Sequence, residues 1–155
     1  GRDYRTSFEA VRGTDIRWNG GGDSTNALAG LDVPLNAVVL RNCYGSAYIE
    51  ELAGASVVAV PLAVENISAG QMVMIQAMAM GKPIVVTRTR TTQEYVTENV
   101  QALLVPRADV VAMRSAIESL LLSPERIEEM GRAGRQTAQD IFTMRPYARN
   151  VLAAV

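Results

Sequence analysis

Histidine is absent from this 155-residue sequence, and cysteine occurs once, at Cys43. Without His the chain lacks the commonest general base and metal ligand, so Ser-His and Cys-His hydrolase mechanisms within it are excluded. A lone cysteine allows no disulfide within the chain and no cysteine-rich zinc site. Because no base accompanies Cys43, we interpret it as a small, buried or half-buried side chain and not as a nucleophile.

An excess of one charge and long apolar segments are also missing. Fifteen basic residues are balanced by sixteen acidic ones, which gives little support to a nucleic-acid surface or a patch for anionic membranes. The most apolar stretches, such as residues 57–60, are too short to cross a bilayer, and the polar, charged first twenty residues do not resemble a signal peptide. We therefore expect a cytoplasmic protein without a transmembrane segment or a nucleic-acid partner.

The length and the 48% hydrophobic content are those of one compact α/β domain. The chain starts at Gly1 without an initiator methionine and directly before a predicted helix. This start suggests a domain cut from a longer protein, and we treat residues 1–155 as a single domain.

Strands and helices are predicted to alternate along most of the chain. Apolar, β-branched runs predict buried strands, helical spacing of apolar residues predicts helices, and residues 19–24 are predicted as a loop because Gly, Asn, Asp and Ser favour turns. The predicted strands cover residues 15–18, 37–40, 56–60, 83–87 and 102–105, and the helices cover residues 2–12, 46–52, 71–80, 92–96, 110–122 and 124–141, with one more after Phe142. The pattern predicts a Rossmann-like α/β fold, with a parallel sheet sandwiched by helices and closing helices at the C-terminus.

The most informative segment, residues 61–71, joins a predicted strand to a predicted helix. Ligands of open parallel sheets bind at the carboxyl ends of strands. Ser68 is predicted to cap the helix, Gly70 allows close approach to the backbone, and the N–H groups of residues 69–72 point out of the positive end of the helix dipole. Gln76 can face the same cleft. The arrangement suits an anion or a ring of hydroxyls, and a capped core helix without a ligand is the alternative.

The run SAGQMVMIQAMAMGKPIV, residues 68–85, resembles the donor-site signature of family-4 GT-B glycosyltransferases. In that family a Glu, a Gly-rich turn and a second Glu precede an Ala-Met-Ala-x-Gly-x-Pro-Val segment. The resemblance extends upstream to residues 1–4 and downstream through residues 94–96 and 102–106 to the closing helices. It implies the donor lobe of a retaining, metal-independent glycosyltransferase whose substrate is a nucleoside-diphosphate sugar, with no cofactor. The domain's first strand and the acceptor-binding lobe would precede Gly1.

The resemblance also implies roles for single residues. Gln76 takes the place of the second Glu, which binds the ribose hydroxyls, and an amide can still do so without charge. The first Glu falls on Ser68, which cannot replace a carboxylate, so Glu65 is the candidate to grip the sugar. The backbone at Ala69, Gly70, Gln71 and Met72 would contact the sugar or the diphosphate. Arg2 matches a cation that neutralises the leaving diphosphate, and a solvated arginine is its alternative.

Further positions are expected around the same cleft. Arg41 and Asn42 fall where the family holds the base, and Arg88 follows a strand on the same edge and can reach a phosphate or serve as a loop charge. Glu94 lies where the family has an acidic residue, although an acidic residue in the first turn of a helix is also an ordinary stabilising feature. The methionines are interpreted as core filling against the sheet: Met72, Met74, Met78 and Met80.

Two other readings remain open. The uncharged Ser68 and Gln76 favour a non-catalytic nucleotide-recognising or protein-interaction module that keeps the fold. A sugar-nucleotide epimerase of the same two-lobed architecture would need an acid and base pair, and the sequence offers no carboxylate pair for that role.

Overall fold

The computed structural model describes residues 2–21, 28–40, 43–64 and 69–143. Within these ranges strands and helices alternate and are followed by two closing helices, as the sequence predicts. Their bounds are α1 (Tyr4–Val11), β1 (Trp18–Gly21), β2 (Ala37–Leu40), α2 (Gly45–Gly54), β3 (Val58–Val60), α3 (Gln71–Ala79), β4 (Ile84–Thr87), α4 (Arg90–Tyr95), β5 (Ala102–Val105), α5 (Val110–Leu121) and α6 (Pro124–Ile141). The helix predicted after Phe142 lies outside the described residues.

The strands form two parallel sheets, β1–β2 and β3–β4–β5. The predicted loop at residues 19–24 is wrong for its first part, because Asn19, Gly20 and Gly21 pair with β2 as a strand. The lack of a side chain explains why glycine is suited to this strand. A Cβ at Gly20 would lie against the indole ring of Trp18, two residues earlier on the same face.

Helices cover both faces of the β3–β4–β5 sheet, and β4 shows why its sequence is continuously apolar. Ile84 and Val86 face a cluster that contains α3, the buried end of α2 and part of α6. Val85 faces the opposite cluster, formed mainly by α5 with Ala10 of α1 and Met130 of α6. Successive strand residues point to opposite faces. Every residue of β4 is therefore buried, and the predicted parallel sheet between two helical layers is confirmed.

The methionine prediction is confirmed for most of the cluster. Met74 and Met78 are fully buried, and Met80 packs against the same core. Met72 is different, because it lies in the first turn of α3 and is 65% exposed. Its interpretation as core filling is wrong, since Met72 lies two residues before Met74 and therefore on the side of α3 opposite to the buried Met74 and Met78.

The position of α1 is fixed from both of its ends. Asp3 caps its start by accepting from the backbone N–H of Thr6, as N-cap carboxylates do. At its end, the Arg114 guanidinium of α5 donates to the carbonyl oxygens of Glu9, Ala10 and Arg12. These bonds satisfy carbonyls that a helix end leaves open, and α1 therefore holds Arg2 and Asp3 in place at its start.

Within the part of the chain that the structure describes, every helix is too short or too polar to cross a bilayer.

Candidate functional site

The carboxyl ends of β3 and β4 meet the N-terminal segment of the chain. Arg2 forms an antiparallel bridge with Leu62, and the N–H of Asp3 donates to the carbonyl oxygen of Pro61 at 3.0 Å. The N–H of Leu62 in turn donates to the buried Oγ1 of Thr87 at 2.9 Å, at the end of β4. The residues that follow β3 are thus held between Arg2 and β4, at the sheet edge where the sequence predicts a ligand site.

Helix α3 starts at this edge, directly beside β3. Gly70 is its N-cap, in a left-handed conformation with φ 83°. A Cβ at Gly70 would lie 2.8 Å from Cγ1 of Val60. The prediction that Ser68 caps the helix is wrong as to the N-cap position, because only a residue without a side chain fits this turn so close to β3. Ser68 itself lies outside the described residues.

The first N–H groups of α3 have no acceptor within the helix itself, as at the start of any α-helix. No side chain among the described residues caps this turn. Its residues Gln71 and Met72 are half-buried and exposed, respectively, while Ala69 packs against the core just before the helix. The positive end of the helix dipole therefore faces the sheet edge.

Gln76 of α3 is joined to α2 by a residue that the sequence analysis did not single out. The Tyr48 hydroxyl donates to Oε1 of Gln76 at 3.1 Å. Burial raises the pKa of Tyr48; the charge of Arg2 opposes this rise, and Cys43 adds to it. The phenol is therefore a protonated donor at neutral pH. The half-buried position predicted for Cys43 is confirmed.

Arg2, Gly70 and Gln76 are linked through two intervening residues, Leu62 and Tyr48. Leu62 connects the first two, since it pairs with Arg2 and its side chain lies 3.5 Å from where a Cβ of Gly70 would stand. Tyr48 connects Arg2 to Gln76 through its electrostatic interaction and its hydrogen bond. No sequence spacing signals Tyr48, because its role depends on how α2 packs beside α3.

Arg88 and Glu94 have surroundings that the sequence does not reveal. The Arg88 guanidinium pairs with Glu98, at 2.6 Å between Nη2 and Oε2, so its charge is already balanced. Glu94 is exposed near the end of α4, and the first-turn position considered for it is wrong. Thr89 and Thr92 form a capping box that starts α4 two residues earlier than predicted.

Four predicted site residues lie outside the described residues: Arg41, Asn42, Glu65 and Ser68. Their roles stay predictions. Among the residues that the structure does describe, no group of three or more Cys, Asp and Glu side chains is placed to hold a metal ion.

Solved structures that share this fold include a sucrose-phosphate synthase and a glycosyltransferase from Rickettsia africae. Sucrose-phosphate synthase from Thermosynechococcus elongatus superposes with a TM-score of 0.70 at 23% sequence identity, over 100% of this chain and 45% of that chain. Anabaena HepE in complex with UDP gives a TM-score of 0.76 at 13% identity, over 97% of this chain and 44% of that chain. The domain has the Rossmann-like α/β fold of GT-B glycosyltransferases.

The sequence comparisons identify the family. A family model described as glycosyl transferases group 1 matches residues 10–123. The MMP alpha-(1->4)-mannosyltransferase of Mycolicibacterium hassiacum is 33% identical over 103 residues, which cover 66% of this chain and 24% of the relative. The chain belongs to the glycosyl transferases group 1 family. The matched segments cover 24% of the mannosyltransferase and 45% and 44% of the two solved chains, so the chain spans less than half of the length of these relatives.

Proposed function

We propose that this chain is the donor-binding half of a retaining, metal-independent glycosyltransferase. It would bind a nucleoside-diphosphate sugar, whose sugar passes to an acceptor. The observation that carries the proposal is that Arg2 and the start of α3 lie at the carboxyl edge of β3 and β4, while Gln76 follows on the same helix and bonds Tyr48. Family membership supports the reaction class. The UDP and UDP-glucose complexes of Anabaena HepE support the choice of donor.

The proposed site matches the charge that develops during transfer. When the bond between the anomeric carbon and the diphosphate oxygen breaks, negative charge grows on the leaving diphosphate. The permanent charge of Arg2 and the N–H groups at the start of α3 stabilise that charge. Gln76 binds a ribose hydroxyl through its uncharged amide. In this proposal Glu65 contacts the sugar.

Three further residues complete the proposed donor site. Arg41 and Asn42 hold the base, and Arg88 is available to a phosphate. Because Arg88 is paired with Glu98, a phosphate would have to compete with that carboxylate. Arg88 therefore contributes less to binding in this proposal than Arg2 does.

The proposal includes a particular domain organisation. Among the described residues the β1–β2 and β3–β4–β5 sheets share no ladder. This division supports a first strand, from before Gly1, that joins the two sheets, and an acceptor-binding lobe before that strand. The proposed enzyme acts in the cytoplasm.

Calorimetric titration of the chain with UDP, GDP and ADP tests the site. We expect Arg2→Ala to weaken binding of the preferred nucleotide by about tenfold to a hundredfold, the range for a hydrogen bond to a charged group. Gln76→Ala removes a neutral hydrogen bond, and we expect a loss of about twofold to tenfold.

Two residues of α6 provide matched controls for this experiment. Arg132 and Gln136 are exposed, and each contacts an acidic side chain one turn away, Glu128 and Asp140. Their alanine variants should bind nucleotides like the parent chain. Unchanged affinity in both Arg2→Ala and Gln76→Ala would exclude the proposed site.

A non-catalytic nucleotide-recognising or protein-interaction module is the second candidate. The uncharged Ser68 and Gln76 favour it, because they occupy positions where family-4 GT-B glycosyltransferases have carboxylates. Joining the chain to its acceptor lobe and assaying transfer separates the two candidates. Nucleotide binding without transfer from any common nucleoside-diphosphate sugar would support the module.

A further inference from the structure

The contact between Tyr48 and Gln76 restricts what the Gln76 amide can offer to a ligand. Oε1 accepts from the Tyr48 hydroxyl at 3.1 Å, and both side chains are half-buried. A side-chain amide is planar, with its acceptor and its donors on different atoms. Fixing Oε1 against Tyr48 therefore also fixes the direction of Nε2. No described residue accepts a hydrogen bond from Nε2.

The position of the Tyr48 ring is set by packing. Tyr48 lies one helical turn before Leu52, the buried residue of α2, and its ring packs against the same core cluster. The ring therefore does not depend on the hydroxyl for its place. The hydroxyl is protonated at neutral pH, as tyrosine ordinarily is, and burial raises the pKa of Tyr48 further. A protonated hydroxyl on a packed ring is a fixed donor for one particular acceptor.

We propose that Tyr48 is a positioning residue that holds the oxygen of the Gln76 amide and leaves its nitrogen to donate to the bound nucleotide. The inference rests on the proposed function and specifies which hydrogen-bonding group the donor site offers to the nucleotide. Gln76 then recognises an oxygen lone pair on the ribose or the diphosphate, as the Arg2 guanidinium does. A glutamate at this position can accept hydrogen bonds but has no N–H to donate.

The test is calorimetric titration with UDP, GDP and ADP of the parent chain, Tyr48→Phe, Gln76→Ala and the double variant. We expect Tyr48→Phe to weaken binding of the preferred nucleotide by about twofold to tenfold, since the released amide can turn its nitrogen away. The double variant should bind no more weakly than Gln76→Ala alone, because Tyr48 acts only through Gln76.

Tyr95→Phe is the matched control for loss of a tyrosine hydroxyl. The Tyr95 ring stacks on Phe142 at 5.7 Å, and no described residue forms a hydrogen bond with its hydroxyl. The Tyr95→Phe variant should bind the preferred nucleotide as tightly as the parent chain does. Both phenylalanine variants should unfold at a Tm close to that of the parent chain, which checks that each variant keeps its fold.

Gln76→Glu tests the orientation of the amide. A carboxylate still accepts from Tyr48 but provides no N–H, so we expect weaker nucleotide binding than in the parent chain. Binding as tight as the parent's, or tighter, would overturn the donor role of Gln76. Equal losses from Tyr48→Phe in the presence and absence of Gln76 would overturn the positioning role.

The failure of this inference differs from the failure of the proposed function. If the parent chain binds none of the three nucleotides, both fail. If it binds one of them, and Gln76→Ala weakens binding while Tyr48→Phe does not, the donor site stands and the role of Tyr48 is rejected.

Discussion

Gly70 combines two constraints at one residue. Its φ of 83° lies in the left-handed region, which residues with a side chain adopt at a cost. Its α-carbon also faces Val60, whose Cγ1 would be 2.8 Å from a Cβ at this position. Val60 is fully buried and cannot move away freely. The start of α3 therefore depends on the absence of one methyl group.

A pair of glycine variants separates these two constraints. Gly13 has a similar φ of 73° but nothing within 4 Å of its added Cβ, so Gly13→Ala should cost about 1 kcal/mol through the backbone alone. Gly70→Ala should cost about 1–3 kcal/mol more, because the methyl group overpacks against Val60. Urea unfolding measures both losses, and equal losses would contradict the proposed contact with Val60.

At the scale of elements, α3 and α6 are joined through glycines of α6. A Cβ at Gly131 would clash with the carbonyl oxygen of Gly81, just after α3 ends. One turn farther, a Cβ at Gly134 would lie 3.4 Å from Cα and Cγ of Met78. The closer of these two approaches is at Gly131, where the neighbour is backbone and cannot rotate aside. α6 thereby packs against α3, the helix that carries Gln76.

Gly131→Ala should therefore destabilise the domain more than Gly134→Ala. Both substitutions gain about 1 kcal/mol of helix propensity. At Gly131 the clash with backbone should outweigh this gain and leave a net loss of about 1–2 kcal/mol, whereas Gly134→Ala should be nearly neutral. Chemical unfolding of the two variants gives the comparison. A Gly131→Ala variant as stable as Gly134→Ala would show that α6 does not contact the end of α3 in this way.

At the scale of the whole molecule, this chain corresponds to less than half of the length of its relatives. It covers 24% of the mannosyltransferase and 45% of the sucrose-phosphate synthase. The domain has the GT-B glycosyltransferase fold. The proposed donor site lies at the carboxyl edge of β3 and β4. In the proposal, the acceptor must be supplied by a surface outside these 155 residues.

We expect the chain alone to bind a nucleoside diphosphate weakly and to transfer no sugar. A transfer assay with common nucleoside-diphosphate sugars checks this, using the preparation whose nucleotide binding has been measured by calorimetry. The same assay on the chain joined to its acceptor lobe is the positive control. Sugar transfer by the isolated chain would contradict the division of labour between two lobes.

Local patterns in the sequence were sufficient for most elements. β-branched runs predicted β2, β4 and β5, and apolar spacing with Pro124 at the first turn predicted α6. The glycine-rich stretch after Trp18 misled the prediction, since its first residues form a strand. Ladder hydrogen bonds with β2 and the place taken by the Trp18 ring outweighed the local preference of glycine for turns.

Part of the candidate site was also accessible from sequence. The strand-loop-helix order and the motif around Gln76 predict a site at the carboxyl edge of the sheet, because parallel strands expose their carboxyl ends together; this location stays a prediction. Tyr48 was missed, and the pairing of Arg88 with Glu98 was not foreseen. Both depend on side chains that meet only after the helices pack.

The sequence by itself determined the alternation of elements, the apolar layers and the membership of the glycosyl transferases group 1 family, because these follow from local propensity and residue order. The tertiary structure alone decided that Arg2 pairs with Leu62 and that Gly70 lies against Val60. It also decided that the Tyr48 hydroxyl donates to Oε1 of Gln76. The physical reason is the range of the interactions. Periodicity acts over a few residues, whereas these contacts join distant parts of the chain through packing.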